Sequence, residues 1–274
     1  MKISLITITY NSEKTIEDTI LSVINQDCAD IEYIIVDGGS TDNTLNIIER
    51  YKPYVSVLIS EPDKGISDAF NKGIKSATGD IIGIVNSDDF LAENAINTIL
   101  ANAKNNPDYD VYYGNSIMFS DKDAYTYKPG EDLQKFPLYM IISHPATFVK
   151  KSAYEKYGKY SLDYKCAMDF ELLSKMYCEG AKFKYIDEVL TCFRLGGVSK
   201  KKSLLTEEES RKIAIRNGVT PNEVKKWYLK IRVKSQVLDF LNKCGVENLL
   251  RSIIKGQEKT SALNIKWFAE SKNV

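Results

Sequence analysis

The sequence carries no excess charge of either sign: 37 lysines and arginines balance 37 aspartates and glutamates, which leaves no global field to draw nucleic acid. No stretch approaches the roughly 18 consecutive apolar residues that a membrane span needs. The five cysteines, Cys28, Cys166, Cys178, Cys192 and Cys244, include no C-x-x-C pair and no zinc spacing, and their number is odd. Free thiols in a reducing compartment are the simplest account. Internal repeats and low-complexity tracts are missing. The amino-terminal segment does not read as a secretory signal, because Lys2 is followed by a short, Thr-interrupted apolar run that ends in Tyr10-Asn11-Ser12. No G-x-G-x-x-G follows the first strand, which disfavours a nicotinamide dehydrogenase. Histidine occurs once, at His144. These absences predict a cytoplasmic protein, soluble or peripheral at the inner face of a membrane, whose 274 residues make one large α/β domain with an appendage or two small domains.

What is present centres on Gly79 to Phe90. Ile81 to Val85 is apolar on both alternating faces and reads as a short strand buried on both sides. It ends in Asn86-Ser87-Asp88-Asp89. In an open parallel α/β sheet ligands collect at the carboxyl ends of the strands, so Asn86, Asp88 and Asp89 are expected at the crevice. Adjacent carboxylates repel unless solvated, paired or bridged by a cation. A hard divalent ion, Mg²⁺ or Mn²⁺, takes one or two carboxylates plus phosphate oxygens. The bland alternative is that Asp88 and Asp89 cap the helix that begins near Ala92 to Asn94.

The flanking chain supplies the rest of such a sheet. Lys2 to Thr9 reads as the first strand, and Ser12 as the cap of a helix over Glu13 to Gln26. Glu32 to Val36 is a second strand running into Asp37-Gly38-Gly39-Ser40-Thr41-Asp42, and Val55 to Ile59 is a third. This alternation implies parallel pairing through right-handed crossovers. Asp37 therefore ends one strand as Asp88 and Asp89 end another; it can accept bonds from a base or ribose, or simply shape an Asx turn. Gly65, Ala69, Gly73 and Ala77 recur every fourth residue and give one helix face with almost no side chain, which packing against the sheet explains. Asp63-Lys64 precedes that helix, where Lys64 can reach a phosphate or remain an exposed loop lysine.

Thr7-Ile8-Thr9-Tyr10-Asn11, Asp37 to Asp42, Glu61-Pro62-Asp63-Lys64-Gly65 and Asn86-Ser87-Asp88-Asp89 together resemble a family 2 glycosyltransferase of the GT-A fold and surface-polysaccharide type. The resemblance covers about the first 195 residues. It implies a Rossmann-like, mostly parallel sheet flanked by helices, a nucleotide-sugar donor (a UDP-sugar by family analogy), Mn²⁺ or Mg²⁺, and inverting transfer to a hydroxyl of a saccharide or lipid-linked acceptor. Carried over residue by residue, Thr7 or Thr9 and Asp37 hold the base and ribose, and Asp88 and Asp89 the ribose and metal; Asp63, Lys64 and Asn86 are expected on the donor side with them. Many relatives have Asp-x-Asp-Asp where this chain has Asn86, so one negative charge is missing and weaker metal affinity is expected.

The second half is expected to form the acceptor side, with a nucleotide-sugar half over about residues 1–110 and an acceptor half over about 111–205. His144 precedes Pro145 and opens another apolar run; a lone histidine is commonly structural, but the resemblance puts this position near the active site, in contact with phosphate or acceptor. Asp169 falls in the first turn of a helix, where the macrodipole alone accounts for a carboxylate. The resemblance nonetheless places the catalytic base there. Glu171 is its competitor, and two residues along a helix their side chains point about 200° apart, so only one faces the crevice. Arg194 sits beside Gly196-Gly197 and a basic cluster, Lys200 to Lys202, where it can pair with diphosphate and the loop can close over the donor.

From about Thr206 onward the pattern is wholly helical, and residues 206–274 are assigned as a helical carboxy-terminal region. Thr206 reads as a capped start and Pro221 as a first-turn residue. Val224, Trp227, Tyr228, Ile231, Leu238 and Leu241 mark one apolar face among interspersed lysines. Packing on the catalytic domain or on a second copy is favoured over contact with an anionic membrane. Two functions of other classes stay open. A sugar nucleotidyltransferase would need a glycine-rich pyrophosphate loop after the first strand, which Thr7 to Ser12 does not provide; a non-catalytic sugar-nucleotide-binding protein would tolerate loss of Asp169.

Overall fold

The computed structural model describes residues 1–28, 30–120, 124–196 and 203–243. The first half runs β1 (Ile3–Thr9), α1 (Ile16–Ile24), β2 (Ile31–Asp37), α2 (Thr44–Arg50), β3 (Val57–Ser60), α3 (Ile66–Ser76), β4 (Ile81–Ile84), β5 (Phe90–Leu91) and α4 (Ala95–Asn105). The second half follows with β6 (Val111–Phe119), β7 (Ala124–Tyr127), β8 (Thr147–Lys150), α5 (Lys151–Tyr157), α6 (Met168–Cys178), β9 (Phe183–Arg194), α7 (Ser203–Arg216) and α8 (Pro221–Lys243). The strands form a nine-stranded sheet in the order β3-β2-β1-β4-β8-β6-β9-β5, with β7 paired to β6. The β3-β2-β1-β4 block is all parallel, so the ends of β1, β2 and β4 leave the sheet at one edge. β8 joins β4 and β6 antiparallel, and β6 pairs with β9 in parallel. The expected α/β sheet flanked by helices is the architecture found.

Alternation along β1 builds the two layers. Ile3 and Leu5 enter the core beneath α1, α2 and α4, while Ile6 enters the core beneath α3, α5 and α6. A fully buried aliphatic side chain of this size contributes about 1.5–3 kcal/mol, so the two cores fix the sheet more firmly than local propensity does. The small-residue face of α3 lies on β1. A side chain added at Gly73 would come within 2.5 Å of Ile6 Cγ2, which is why that face carries none.

Four elements differ from the sequence expectation. α1 begins at Ile16 rather than at Glu13, because Asn11 adopts a left-handed φ of 50° and the Ser12 N–H is tied to Thr44 Oγ1. Asp88 and Asp89 do not cap α4: its cap is Asn94, and the unforeseen strand β5 intervenes. Arg194, expected in a loop beside Gly196-Gly197, belongs to β9. A register irregularity opposite Gly114 to Ser116 lets that strand continue beside β6 to Arg194. Thr206 is no helix start, because α7 is already under way at Ser203, and the expected boundary at 205/206 falls inside that helix.

α7 and α8 belong to the same packed body. Ile213 of α7 is in the core with Met168 and Phe170, while Val224 and Tyr228 of α8 pack with Ala214. Trp227 stacks on Tyr139 with ring centres 4.4 Å apart. α8 opens with a reciprocal cap: the Glu223 N–H donates to Thr220 Oγ1 and the Thr220 N–H to Glu223 Oε2. Leu229, Ile231 and Val233 are exposed; the side chains of Leu238 and Leu241 lie outside the described residues. Among the described residues no helix is long and apolar enough to cross a membrane.

Candidate active site

β4 sits between β1 and β8, and its chain continues through a Val85 N–H bond to the Ile6 carbonyl before it turns out as Asn86 to Asp89. There the two carboxylates part. Asp89 turns inward and is 1% exposed: it accepts the Arg194 N–H at 2.9 Å and the Asn86 amide at 3.1 Å, while its own carbonyl takes the Thr19 hydroxyl at 2.6 Å. Burial, then the neighbouring Asp88 charge, push its pKa up to about 8. Asp88 stays partly exposed. Burial raises its carboxyl as well, opposed by its own N–H and the Arg194 charge, and no other side chain bonds it among the described residues.

The neighbouring strand ends divide in the same way. Thr7 is fully buried with its hydroxyl 3.1 Å from that of Tyr33, on the core side of β1. Thr9, two residues on, is paired in register with Asp37, and its buried hydroxyl finds no partner among the described residues. Asp37 is fully buried and accepts the N–H groups of Gly39 and Ser40 and the hydroxyls of Ser40 and Ser60. This is the Asx turn considered from the sequence, reinforced from β3. Asp63 occupies the space a side chain at Gly38 would take and accepts the Gly65 N–H at 2.8 Å. Lys64 is exposed, as is Tyr10 at the end of β1. A bond between the hydroxyls of Ser12 and Ser87, 2.8 Å, joins the β1 and β4 ends.

On the second side, the 3₁₀ turn His144–Ala146 packs on β4, β6 and β9. His144 Nε2 lies 2.7 Å from the Tyr160 hydroxyl, and the ring stands 5.4 Å from that of Phe70. Burial lowers the His144 pKa against the opposing pull of the Asp169 charge, which also reaches Tyr160. His144 and Tyr160 are thus a bonded pair, and Asp169, partly exposed in the first turn of α6, is near enough for its charge to act on both. Glu171 points elsewhere: it is buried, paired with Arg216 through Oε1. The two helix carboxylates have different surroundings: Glu171 is held by Arg216, and it is the Asp169 charge that reaches His144.

Arg194 ends a strand rather than lying in a glycine loop. Its Nε bonds the Asp88 carbonyl at 3.2 Å, Nη2 lies 3.7 Å from Asp18, and the guanidinium stands 4.7 Å over the Phe119 ring. Lys200 to Lys202 lie outside the described residues. The sequence reading missed Asp18, Thr19, Tyr160 and Glu209. Thr19 had left a signal, since it and Ser22 interrupt the apolar face formed by Ile16, Ile20 and Val23 and are themselves fully buried.

Among the described residues no three His, Cys, Asp or Glu side chains gather as a metal cluster. Asp88 by itself fits the other mode, in which Mg²⁺ or Mn²⁺ takes one protein carboxylate and completes its shell with substrate phosphates and water. A carboxylate raised by burial and, among the described residues, left without a bonded side-chain partner is stabilised by a cation.

Residues 4–159 match the family profile of Glycosyl transferase family 2. A PGL/p-HBAD biosynthesis glycosyltransferase of Mycobacterium bovis (strain BCG / Pasteur) is 28% identical over 202 residues, 72% of this chain and 78% of the relative. Staphylococcus aureus TarS 1–349, solved with UDP-GlcNAc, superposes with a TM-score of 0.65 at 22% identity over 78% of this chain and 64% of its own. A mannosyltransferase from Pyrobaculum calidifontis, solved with GDP-Man and Mn²⁺, gives 0.65 at 17% identity over 99% of this chain and 84% of its own. The fold is GT-A. With strand ends, acidic loop and matched residues all in the same half, the chain belongs to glycosyl transferase family 2 and is a glycosyltransferase.

Proposed function

We propose that the protein is an inverting glycosyltransferase that moves a sugar from a UDP-sugar to a hydroxyl of a saccharide or lipid-linked acceptor in surface-glycan synthesis. The observation that carries the reading is the split between adjacent carboxylates: Asp89 is buried and bonded within the fold, whereas Asp88 is left open at the edge where β1 and β2 also end. On the donor side the exposed ammonium of Lys64 contacts the nucleotide, and Thr9, whose buried hydroxyl has no partner among the described residues, supports the β1 end beside it. Thr7 and Asp37, with no exposed surface, act from beneath by holding the strand end and the turn. Asp63 fixes the loop that presents Lys64, and Asn86 and Arg194 hold Asp89 and the Asp88 carbonyl in place. A divalent ion on Asp88 would neutralise the charge that grows on the departing diphosphate.

The chemistry assigned to the chain is proton transfer. The acceptor oxygen forms a bond to the anomeric carbon as the bond to the diphosphate oxygen breaks, the electron pair leaves with the nucleoside diphosphate, and the hydroxyl proton passes to Asp169. His144, kept neutral by burial, and its bonded partner Tyr160 lie within reach of that carboxylate's charge. Support for the donor class comes from TarS, solved with UDP-GlcNAc, and for a metal from the mannosyltransferase solved with Mn²⁺.

The test is thermal stabilisation by UDP-, GDP- and dTDP-sugars with Mn²⁺, Mg²⁺ or chelator, paired with turnover. UDP-sugars with metal are expected to raise Tm. Asp88→Ala should lose the metal-dependent part of that rise, and Asp169→Asn should keep the rise and lose turnover. Stabilisation by another base overturns the donor assignment, and full turnover of Asp169→Asn overturns the base.

A further inference from the structure

α7 grips the helix that carries Asp169 at two points. Near its middle, Glu209 is 6% exposed and accepts three successive backbone N–H groups: Lys165 at its Oε1, and Cys166 and Ala167 at its Oε2, each at 2.9 Å. Ala167 is the cap residue of α6, and Asp169 is the second residue of that helix. At its end, Arg216 pairs with Glu171 and donates to the Glu171 carbonyl at 3.2 Å, and the adjoining Asn217 amide donates to Ser174 Oγ at 2.8 Å.

The free N–H groups at a helix start attract the nearest carboxylate. In α6 the nearest by sequence is Asp169, whose Oδ1 already accepts the Phe170 N–H at 2.7 Å. A buried carboxylate from α7 that fills the turn ahead of the helix takes up the N–H groups of 165–167 and pins the backbone from which Asp169 projects. Three charge-assisted bonds offset the burial of that carboxylate. We propose that Glu209 is a positioning residue for Asp169, acting through the 165–167 turn to hold the carboxylate beside His144 and Tyr160. This rests on the reading of Asp169 as the base.

The test uses the full chain with Glu209→Ala, Glu209→Gln and, as control on the same helix, Glu208→Gln, whose side chain is 62% exposed. Turnover is read as UDP release from UDP-GlcNAc and UDP-glucose, and backbone order by amide hydrogen exchange of the 164–172 segment. Misplacing a reacting group by about 1 Å costs on the order of 100-fold. Glu209→Ala should therefore lower kcat roughly 10- to 100-fold with donor KM within about twofold, and speed exchange at 165–167 while β1 and β4 stay protected. Glu209→Gln keeps one carbonyl oxygen for the Cys166 and Ala167 N–H groups and should fall between Glu209→Ala and wild type; Glu208→Gln should match wild type. Wild-type kcat in Glu209→Ala, or unchanged exchange at 165–167, overturns the proposal. So does a fall in kcat that only follows the fraction folded. If Glu209→Ala does not fold, Glu209→Gln decides: lower kcat at constant donor KM supports the role, and wild-type kcat sinks it. Failure of the base reading shows separately, as turnover retained by Asp169→Asn. An inactive Asp169→Asn beside a fully active Glu209→Ala leaves the base in place and removes only Glu209.

Discussion

Asp89 should make the protein less stable as the pH rises. Its carboxylate is almost wholly buried, faces the Asp88 charge, and among the described residues has only the Arg194 N–H and the Asn86 amide as bonded donors, so its pKa climbs from the ordinary 3.8 to about 8. Between those values the folded chain holds a proton that the unfolded chain has released. The stabilisation is therefore complete below about pH 4 and is lost as the pH passes through about 8. At about 1.4 kcal/mol for each pH unit, the ceiling over the whole window is on the order of 6 kcal/mol. Small rearrangements and water entry would reduce it to about 2–3 kcal/mol between pH 5.5 and 8.5. Asp89→Asn removes the titration and keeps an acceptor for the Arg194 N–H. Urea unfolding of both proteins in chelator at the two pH values isolates the effect as a difference of differences. The variant should gain about 2–3 kcal/mol relative to wild type on going from pH 5.5 to 8.5. A gap that stays constant, or widens in favour of wild type, would refute a protonated Asp89.

Two further perturbations test the scaffold. A side chain at Gly83 would stand 2.5 Å from Phe148 Cε1 and 3.0 Å from Leu5 Cδ2, so Gly83→Ala should cost about 1–3 kcal/mol in urea unfolding; Phe148→Leu should recover part of that loss, and a loss below about 0.5 kcal/mol would mean β4 shifts freely. Arg216→Met leaves the Glu171 carboxylate buried without its partner. Breaking a fully buried pair costs about 3–5 kcal/mol, and because the Arg216 side chain is 38% exposed the expected loss is about 1–3 kcal/mol, largely restored by adding Glu171→Met. A stable single variant would mean water replaces the arginine.

The alternation of Ile3, Leu5 and Ile6, the apolar run at 81–85 and the one-in-four small residues of α3 determined the sheet, its two-sided burial and the close packing of α3 on β1 without outside help. Each is a local period that only one arrangement buries. The strand-end motifs likewise marked where Thr9, Asp37 and Asp88 emerge. Tertiary structure decided what those residues face. Adjacent Asp88 and Asp89 are equivalent as a string, and they differ because β9 brings the Arg194 N–H to one of them across 105 positions. Arg194 reads as a loop residue beside glycines, yet a register irregularity against β6 carries the strand through it. Glu209 is one of three successive glutamates. Only the docking of Ile213 into the core turns that one toward the start of α6, and hydrophobic burial between distant segments leaves no periodic trace at the residues it aims.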